Sequence, residues 1–184
     1  MNLPNKITSF RLLMIPVFVV AALQLGLSSW VPALIFIIAS SSDFLDGYFA
    51  RKYHLTTTFG KFMDPLVDKV LTQAAFIILV GLEKIEAWIV VIIVARELMI
   101  TGFRTIAASN GVTIAASMWG KYKTTFQMLA IIMYLLEDSL FASVRPIHDF
   151  GISDILLYIA VFFTIVSAID YVGKNLHVLD LDNI

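Results

Sequence analysis

Four aspartates stand close together around glycines and are flanked by apolar sequence. The sequence reads Asp43-Phe-Leu-Asp46-Gly47-Tyr-Phe-Ala50-Arg51, then eight residues, Gly60, three residues, Asp64, three residues and Asp68. The first pair is spaced i, i+3 and the second i, i+4, so on helices each pair lies on one face. Four like charges in a partly dehydrated place repel one another unless protons, basic groups or divalent cations join them. A set of oxygen donors with no histidine or cysteine suits Mg²⁺ or Mn²⁺ rather than zinc. Gly47 and Ala50 fall on roughly the face of Asp43 and Asp46 and leave space for a bulky ligand. Gly60 lets two helix ends approach, and Arg51 supplies positive charge for a phosphate or a carboxylate.

The elements that carry these residues are membrane helices. Of the 184 residues, 59% are hydrophobic and only 15% charged, against about 25% charged in soluble domains. Six apolar segments approach the about 20 residues that span a bilayer. They run from Ile7 to Leu27, Val31 to Ala50, Phe59 to Leu82, Ala87 to Ser109, Tyr122 to Leu140 and Ile152 to Val172. In lipid the backbone must bond internally, and runs this long and uniform form helices, not barrel strands. The expected fold is all-α, a polytopic six-helix membrane bundle, with residues 1–184 as a single domain. Lys6 and Arg11 before the first run mimic a signal peptide. The run contains Pro16 and lacks a small-x-small cleavage pattern, so it reads as a retained helix.

Lysine and arginine set the orientation. Lys6, Arg11, Arg51, Lys52, Lys61, Lys69, Arg104, Lys121, Lys123 and Lys174 fall on or lean toward the side of the termini. Only Lys84 and Arg145 fall opposite, with Arg96 mid-span. Both termini and the aspartates are therefore expected to be cytoplasmic. Trp30 and Trp88 would mark the outer interface, Trp119 and Tyr122 the inner one. No cysteine is present, which excludes disulfides and zinc–thiolate sites, and a net charge of −1 offers nucleic acid no general attraction. His54, His148 and His177 read as loop or tail residues, and Glu137, Asp138 and Asp149 as outer-side groups. Asp170 reads as a helix-end contact of unassigned role. Asn5, Thr8 and Arg11 cap or position the first span, with a nucleotide contact as the alternative.

The pattern D-x2-D-G-x2-A-R-x8-G-x3-D-x3-D, matched at all eight fixed positions, resembles the signature of the CDP-alcohol phosphotransferase family. The opening from Asn2 to Arg11 is similar to the start of bacterial phosphatidylglycerophosphate synthases. So are Arg96-Glu97 with Arg104, and the stretch from Gly120 to Gln127. The resemblance implies that Asp43, Asp46 and Asp64 hold two divalent metals, with Asp68 contacting one and acting as general base. Those metals would grip the diphosphate of CDP-diacylglycerol and stabilise the leaving CMP. Gly47, Ala50, Arg51 and Gly60 would serve the CDP-lipid. For glycerol 3-phosphate as acceptor, Arg96, Arg104, Lys121 and, more weakly, Lys61 are the expected phosphate ligands. For Arg96 an ion pair with Asp64 or Asp68 competes with that role; for Lys121 and Lys123, topological anchoring does. The resemblance further implies a homodimer in a bacterial plasma membrane.

Competing acceptors within the family are phosphatidylglycerol and an inositol phosphate. A divalent-cation transporter is the alternative of another class. Against it, the aspartates fall at helix ends, not near the midplane, and no inverted repeat is visible. A purely structural subunit would leave the acidic cluster without a purpose.

Overall fold

The computed structural model describes residues 3–52, 58–109, 111, 114, 117–140 and 151–175, except the side chains of 3–6, 43–52, 58–62, 64 and 65. Among the described residues there are six α-helices and no strand: α1 Leu3–Leu25, α2 Val31–Lys52, α3 Thr58–Gly81, α4 Ala87–Ser109, α5 Met118–Leu140 and α6 Ile152–Asn175. The chain is all-helical, as its composition demands. Boundaries differ from the hydropathy reading in one consequential place. The α5 helix starts at Met118, so Trp119, Gly120 and Lys121 lie in its first turn and not in the preceding connection. The reason is a cap: Ser117 Oγ accepts the Gly120 N–H at 3.2 Å, satisfying one of the donors a helix start leaves unpaired.

Two compact units are distinguished by their packing. The first comprises Met1–Lys84 and Ile131–Asp149, the second Ile85–Ala130 and Phe150–Ile184. In the first, α1 packs on α2 and α3, and α2 packs on α3. Fully buried Phe18, Phe36, Val67 and Leu71 fill its interior, and Ala22, Ala33, Ala39 and Ala75 let the backbones approach. The Phe18 and Phe36 rings meet at 5.7 Å between centroids.

In the second unit α4 packs on α6. Buried Ser153, Leu157, Ala160, Thr164, Ser167 and Tyr171 recur at alternating steps of four and three along α6, the stripe that keeps one helix face against its neighbours. Gln127 Nε2 donates to Thr164 Oγ1 across α5 and α6 at 3.4 Å. Phe163 stacks on Trp119 and Phe126 of α5, with centroids 5.9 and 5.4 Å apart. Tyr171 meets Phe103 of α4 edge-on at 5.9 Å.

The surface reverses the pattern of a water-soluble protein. Leu98 and Ile169 are 65% and 69% exposed, whereas Arg11 and Lys123 are 0% and 4% exposed. Large apolar side chains also face outward along α1, α3 and α6. In water such faces would drive association; in lipid they are the solvated surface. Among the described residues two helices are long and apolar enough to cross a membrane, Ile7–Leu25 and Ile152–Asn175, and Val31–Ser42 is a shorter apolar helix. The other helices carry more charged residues, which break their apolar runs.

The helix ends carry a testable imbalance. Gly26 after α1 and Gly111 after α4 have φ of 65° and 73°, the left-handed conformation that ends helices cheaply only in glycine. After α3 that position is Glu83, with φ of 57°. The Glu83 N–H donates to Val80 O at 3.0 Å and the Lys84 N–H to Leu79 O at 2.9 Å. A side chain there strains the backbone by about 1–2 kcal/mol. Glu83→Gly is expected to stabilise the purified protein by about 1 kcal/mol, raising its thermal midpoint by about 2–4 °C. Gly26→Ala, with open space around the added methyl, should lower it by a similar amount. Midpoints from thermal unfolding in detergent check both.

Candidate active site

The aspartates are positioned by the ends of α2 and α3. Asp46 lies six residues before the end of α2 at Lys52, and Asp64 six residues after the start of α3 at Thr58. At about 1.5 Å per residue, both positions sit about 9 Å from the helix ends. Asp43 and Asp68 lie nine and ten residues from the same ends, or about 14–15 Å. A connection of five residues returns α3 along α2, and the two helices touch. Counted from the helix ends, the two pairs of carboxylate positions therefore stand at matched distances along α2 and α3, and the all-oxygen donor set and its spacing fit divalent cations.

The side chains of Asp43, Asp46, Asp64, Gly47, Ala50, Arg51, Gly60 and Lys61 lie outside the described residues, as do His54, Arg145, His148, Asp149 and His177 entirely. Asp68 is described and half-buried. One turn later Thr72 Oγ1 donates to the Asp68 and Lys69 carbonyls at 3.2 and 3.0 Å.

Arg11 is the residue whose weight the sequence understated. Its guanidinium is fully buried, and Nε donates to Ser42 Oγ at 3.2 Å. Ser42 in turn donates to Ala39 O at 2.7 Å. Arg11 thus ties α1 to α2 one residue before Asp43. Pro16 and an apolar groove lined by Val17, Val20, Ala21, Gln24 and Leu25 occupy α1 further along; the groove holds no titratable group.

The cations of the second unit divide into buried and exposed. On α4, Arg96 Nη1 donates to Glu97 Oε1 at 3.0 Å. On α5, Lys123 Nζ donates to the same oxygen. The three side chains are 12%, 13% and 5% exposed. Arg96 thus finds a carboxylate in its own sequence neighbour. Arg96 Nε is buried with no hydrogen-bond partner. A Cβ at Gly120 would stand 3.6 Å from Arg96 Nη2, at ordinary van der Waals contact.

Arg104 is exposed, with Nε donating to Tyr171 Oη at 3.3 Å and its guanidinium 5.7 Å from the ring centroid, within cation–π range. Lys121 is exposed, whereas Lys123, which the sequence left as an anchor, is buried. Asp170 pairs with Lys174 at 2.6 Å, and its Oδ2 is buried without a partner. Asp138 pairs with Lys84 at 2.7 Å.

Residues 1–166 match the profile of CDP-alcohol phosphatidyltransferases. The chain belongs to the CDP-alcohol phosphatidyltransferase family. It is a phosphatidyltransferase of phospholipid synthesis and a membrane protein. It is similar to the CDP-diacylglycerol--glycerol-3-phosphate 3-phosphatidyltransferase of Bacillus subtilis, 42% identical with 99% of each chain covered. The Haemophilus influenzae protein of the same name is also 42% identical, over 92% of this chain and 91% of its own. A probable phosphatidylglycerophosphate synthase of Mycobacterium tuberculosis is 36% identical over 95% and 82%.

Arg11 offers a direct test of the scaffold. Removing the guanidinium loses a hydrogen bond from a charged donor, about 1.5–3 kcal/mol, and the packing of a fully buried side chain. Arg11→Ala should lower the thermal midpoint sharply and reduce turnover, while Arg11→Lys, which keeps charge, loses less. Parallel measurements of midpoint and specific activity decide it; an unchanged midpoint in Arg11→Ala would show that the buried guanidinium does not brace the helices.

Proposed function

We propose that this phosphatidyltransferase moves the phosphatidyl group of CDP-diacylglycerol to glycerol 3-phosphate, giving phosphatidylglycerophosphate and CMP. The observation that carries the reading is the eight-residue aspartate motif held at matched depth on α2 and α3. The names of relatives that align over nearly the whole chain support the acceptor. The cation-transporter alternative has no comparable support once family membership is established.

In this reading residues 1–184 form one catalytic domain, with six spans, both termini and the active site at the cytoplasmic face, in the plasma membrane of a bacterium and as a homodimer. Asp43, Asp46 and Asp64, with Asp68, hold two divalent cations, Mg²⁺ or Mn²⁺. When bound, these polarise the phosphorus and stabilise the departing CMP oxygen. Gly47, Ala50 and Gly60 leave room for the nucleotide, and Arg51 meets the diphosphate. Asp68 takes the proton of the acceptor hydroxyl as its oxygen attacks the lipid-bearing phosphorus and the bond to CMP breaks. The acceptor's own phosphate is bound by Arg96, Arg104, Lys121 and Lys61. The unmatched buried Nε of Arg96 and the exposed positions of Arg104 and Lys121 support that assignment.

Release of CMP from CDP-diacylglycerol, measured with a panel of acceptors, tests the proposal. Release should require glycerol 3-phosphate, stop with EDTA and resume with Mg²⁺ or Mn²⁺. Consumption of phosphatidylglycerol or an inositol phosphate in its place would keep the family and move the acceptor.

The aspartates separate by role. Asp43→Asn, Asp46→Asn and Asp64→Asn should each abolish turnover in a protein that still inserts into membranes. Asp68→Asn should lose about 10²–10⁴-fold in turnover yet bind CDP-diacylglycerol better than Asp64→Asn. Equal loss of binding in both would make Asp68 chiefly a ligand.

A further inference from the structure

Tyr171 stands near the end of α6 with its ring buried and its hydroxyl engaged. It is 2% exposed and packs in a cluster with Ile100, Phe103 and Ala107 of α4. Phe103 meets the ring edge-on, at an interplanar angle of 87°. The hydroxyl oxygen accepts the Arg104 Nε–H at 3.3 Å, and the guanidinium carbon stands 5.7 Å from the ring centroid. One rigidly packed side chain thus holds Arg104 twice, by a hydrogen bond and by the face of its ring. Arg104 itself is exposed.

Two features separate this contact from an ordinary clamp between helices. The first is which nitrogen is used. The bond takes Nε, and among the described residues Nη1 and Nη2 have no hydrogen bond or ion pair. That end-on edge of the guanidinium can still meet two oxygens of a phosphate at once. The second is the charge of the acceptor. Arg96 is held by a carboxylate, that of Glu97. Arg104 is held by a phenol, which fixes a guanidinium without cancelling its charge. Asp170, the sequence neighbour of Tyr171, pairs instead with Lys174 at 2.6 Å. An exposed arginine is rich in rotamers, and ordering it on binding costs free energy. Tyr171 imposes that order before a ligand arrives.

We infer that Tyr171 is a positioning residue for the acceptor: it keeps Arg104 charged and preordered, with Nη1 and Nη2 left for the acceptor's phosphate. The inference rests on the proposed acceptor and on its assignment of Arg104, and Tyr171 acts only through that arginine.

The full-length enzyme, purified in mixed micelles, is assayed by CMP release as wild type, Tyr171→Phe, Arg104→Ala and the double variant. Tyr171→Phe keeps the buried ring and removes only the oxygen that Nε meets. It should raise the KM for glycerol 3-phosphate about 5-fold. Turnover at saturating acceptor and the KM for CDP-diacylglycerol should each stay within about 2-fold of wild type. Arg104→Ala should raise the acceptor KM about 10-fold or more. The double variant should be no worse than Arg104→Ala alone, because the hydroxyl works through the guanidinium.

A structural clamp gives a different result: a lower thermal midpoint in Tyr171→Phe with both KM values unchanged, which overturns the inference. A joint rise in both KM values overturns it too, as does a double variant worse than Arg104→Ala. If Tyr171→Phe does not fold, Tyr171→Met, which also removes the hydroxyl and packs adaptably, carries the same comparison with the same outcomes. An Arg104→Ala enzyme with unchanged dependence on glycerol 3-phosphate defeats the inference and leaves the acceptor reading intact. If the wild type ignores glycerol 3-phosphate but takes an inositol phosphate, the acceptor reading fails. A rise in the KM for that alcohol in Tyr171→Phe then upholds the inference, and no rise overturns it. If only phosphatidylglycerol or an unphosphorylated alcohol is used, both fail.

Discussion

A carboxylate or guanidinium between apolar helices has no water to hold its charge, so it must meet an opposite charge or a hydrogen-bond partner inside the protein. Much of the tertiary arrangement follows from that requirement. Arg11 reaches across from α1 to α2. Glu97 gathers Arg96 and Lys123 from two helices. Lys84 and Asp138 close the ends of α3 and α5. Each pairing fixes one helix against another more narrowly than apolar contact does, because a methyl group tolerates a small slide and a charged hydrogen bond does not. Between helices in lipid the hydrophobic effect distinguishes little, which leaves shape and polarity to specify the packing.

Shape is supplied by small residues. Alanines on α1, α2 and α3 are fully buried, and α6 presents serine, alanine and threonine along its inner stripe. These let the backbones approach closely enough for Gln127 to reach Thr164 and for Tyr171 to sit between Phe103 and Arg104. The polar interior of the second unit is therefore continuous in kind, from Arg96 and Glu97 through Lys123 and Gln127 to Thr164. The proposed transfer from a CDP-lipid to a phosphorylated alcohol would need such an interior.

What the sequence made legible was whatever depends on spacing along one chain. The helices follow from runs of apolar residues, and the aspartate faces from steps of three and four. The eight-residue motif was enough to reach the family. What it hid depends on which helices meet. Lys121 and Lys123 look alike in the sequence, two residues apart, yet a helix turns them about 200° from each other, and only Lys123 is buried. Glu97 entered only through the resemblance of the Arg96-Glu97 pair and was given no role, because Lys123, its second partner, lies on another helix. A lone carboxylate in the middle of an apolar run was the signal, since it demands a cation. Arg11 was likewise read as part of a positive-inside margin, although its depth in α1 is set by the start at Leu3, four residues before the apolar run begins.

The reversed surface has an evolutionary consequence. Outward positions such as Leu98, Phe162 and Ile169 face a fluid of hydrocarbon chains, which accepts leucine, isoleucine, valine or phenylalanine almost equally. The inner stripe of α6 has no such freedom, because a larger side chain at Ser167 or Ala160 would prise neighbouring helices apart. Substitutions should therefore be tolerated on the lipid-facing side and resisted among the small and polar residues within, the reverse of a water-soluble enzyme, whose apolar core is the intolerant part.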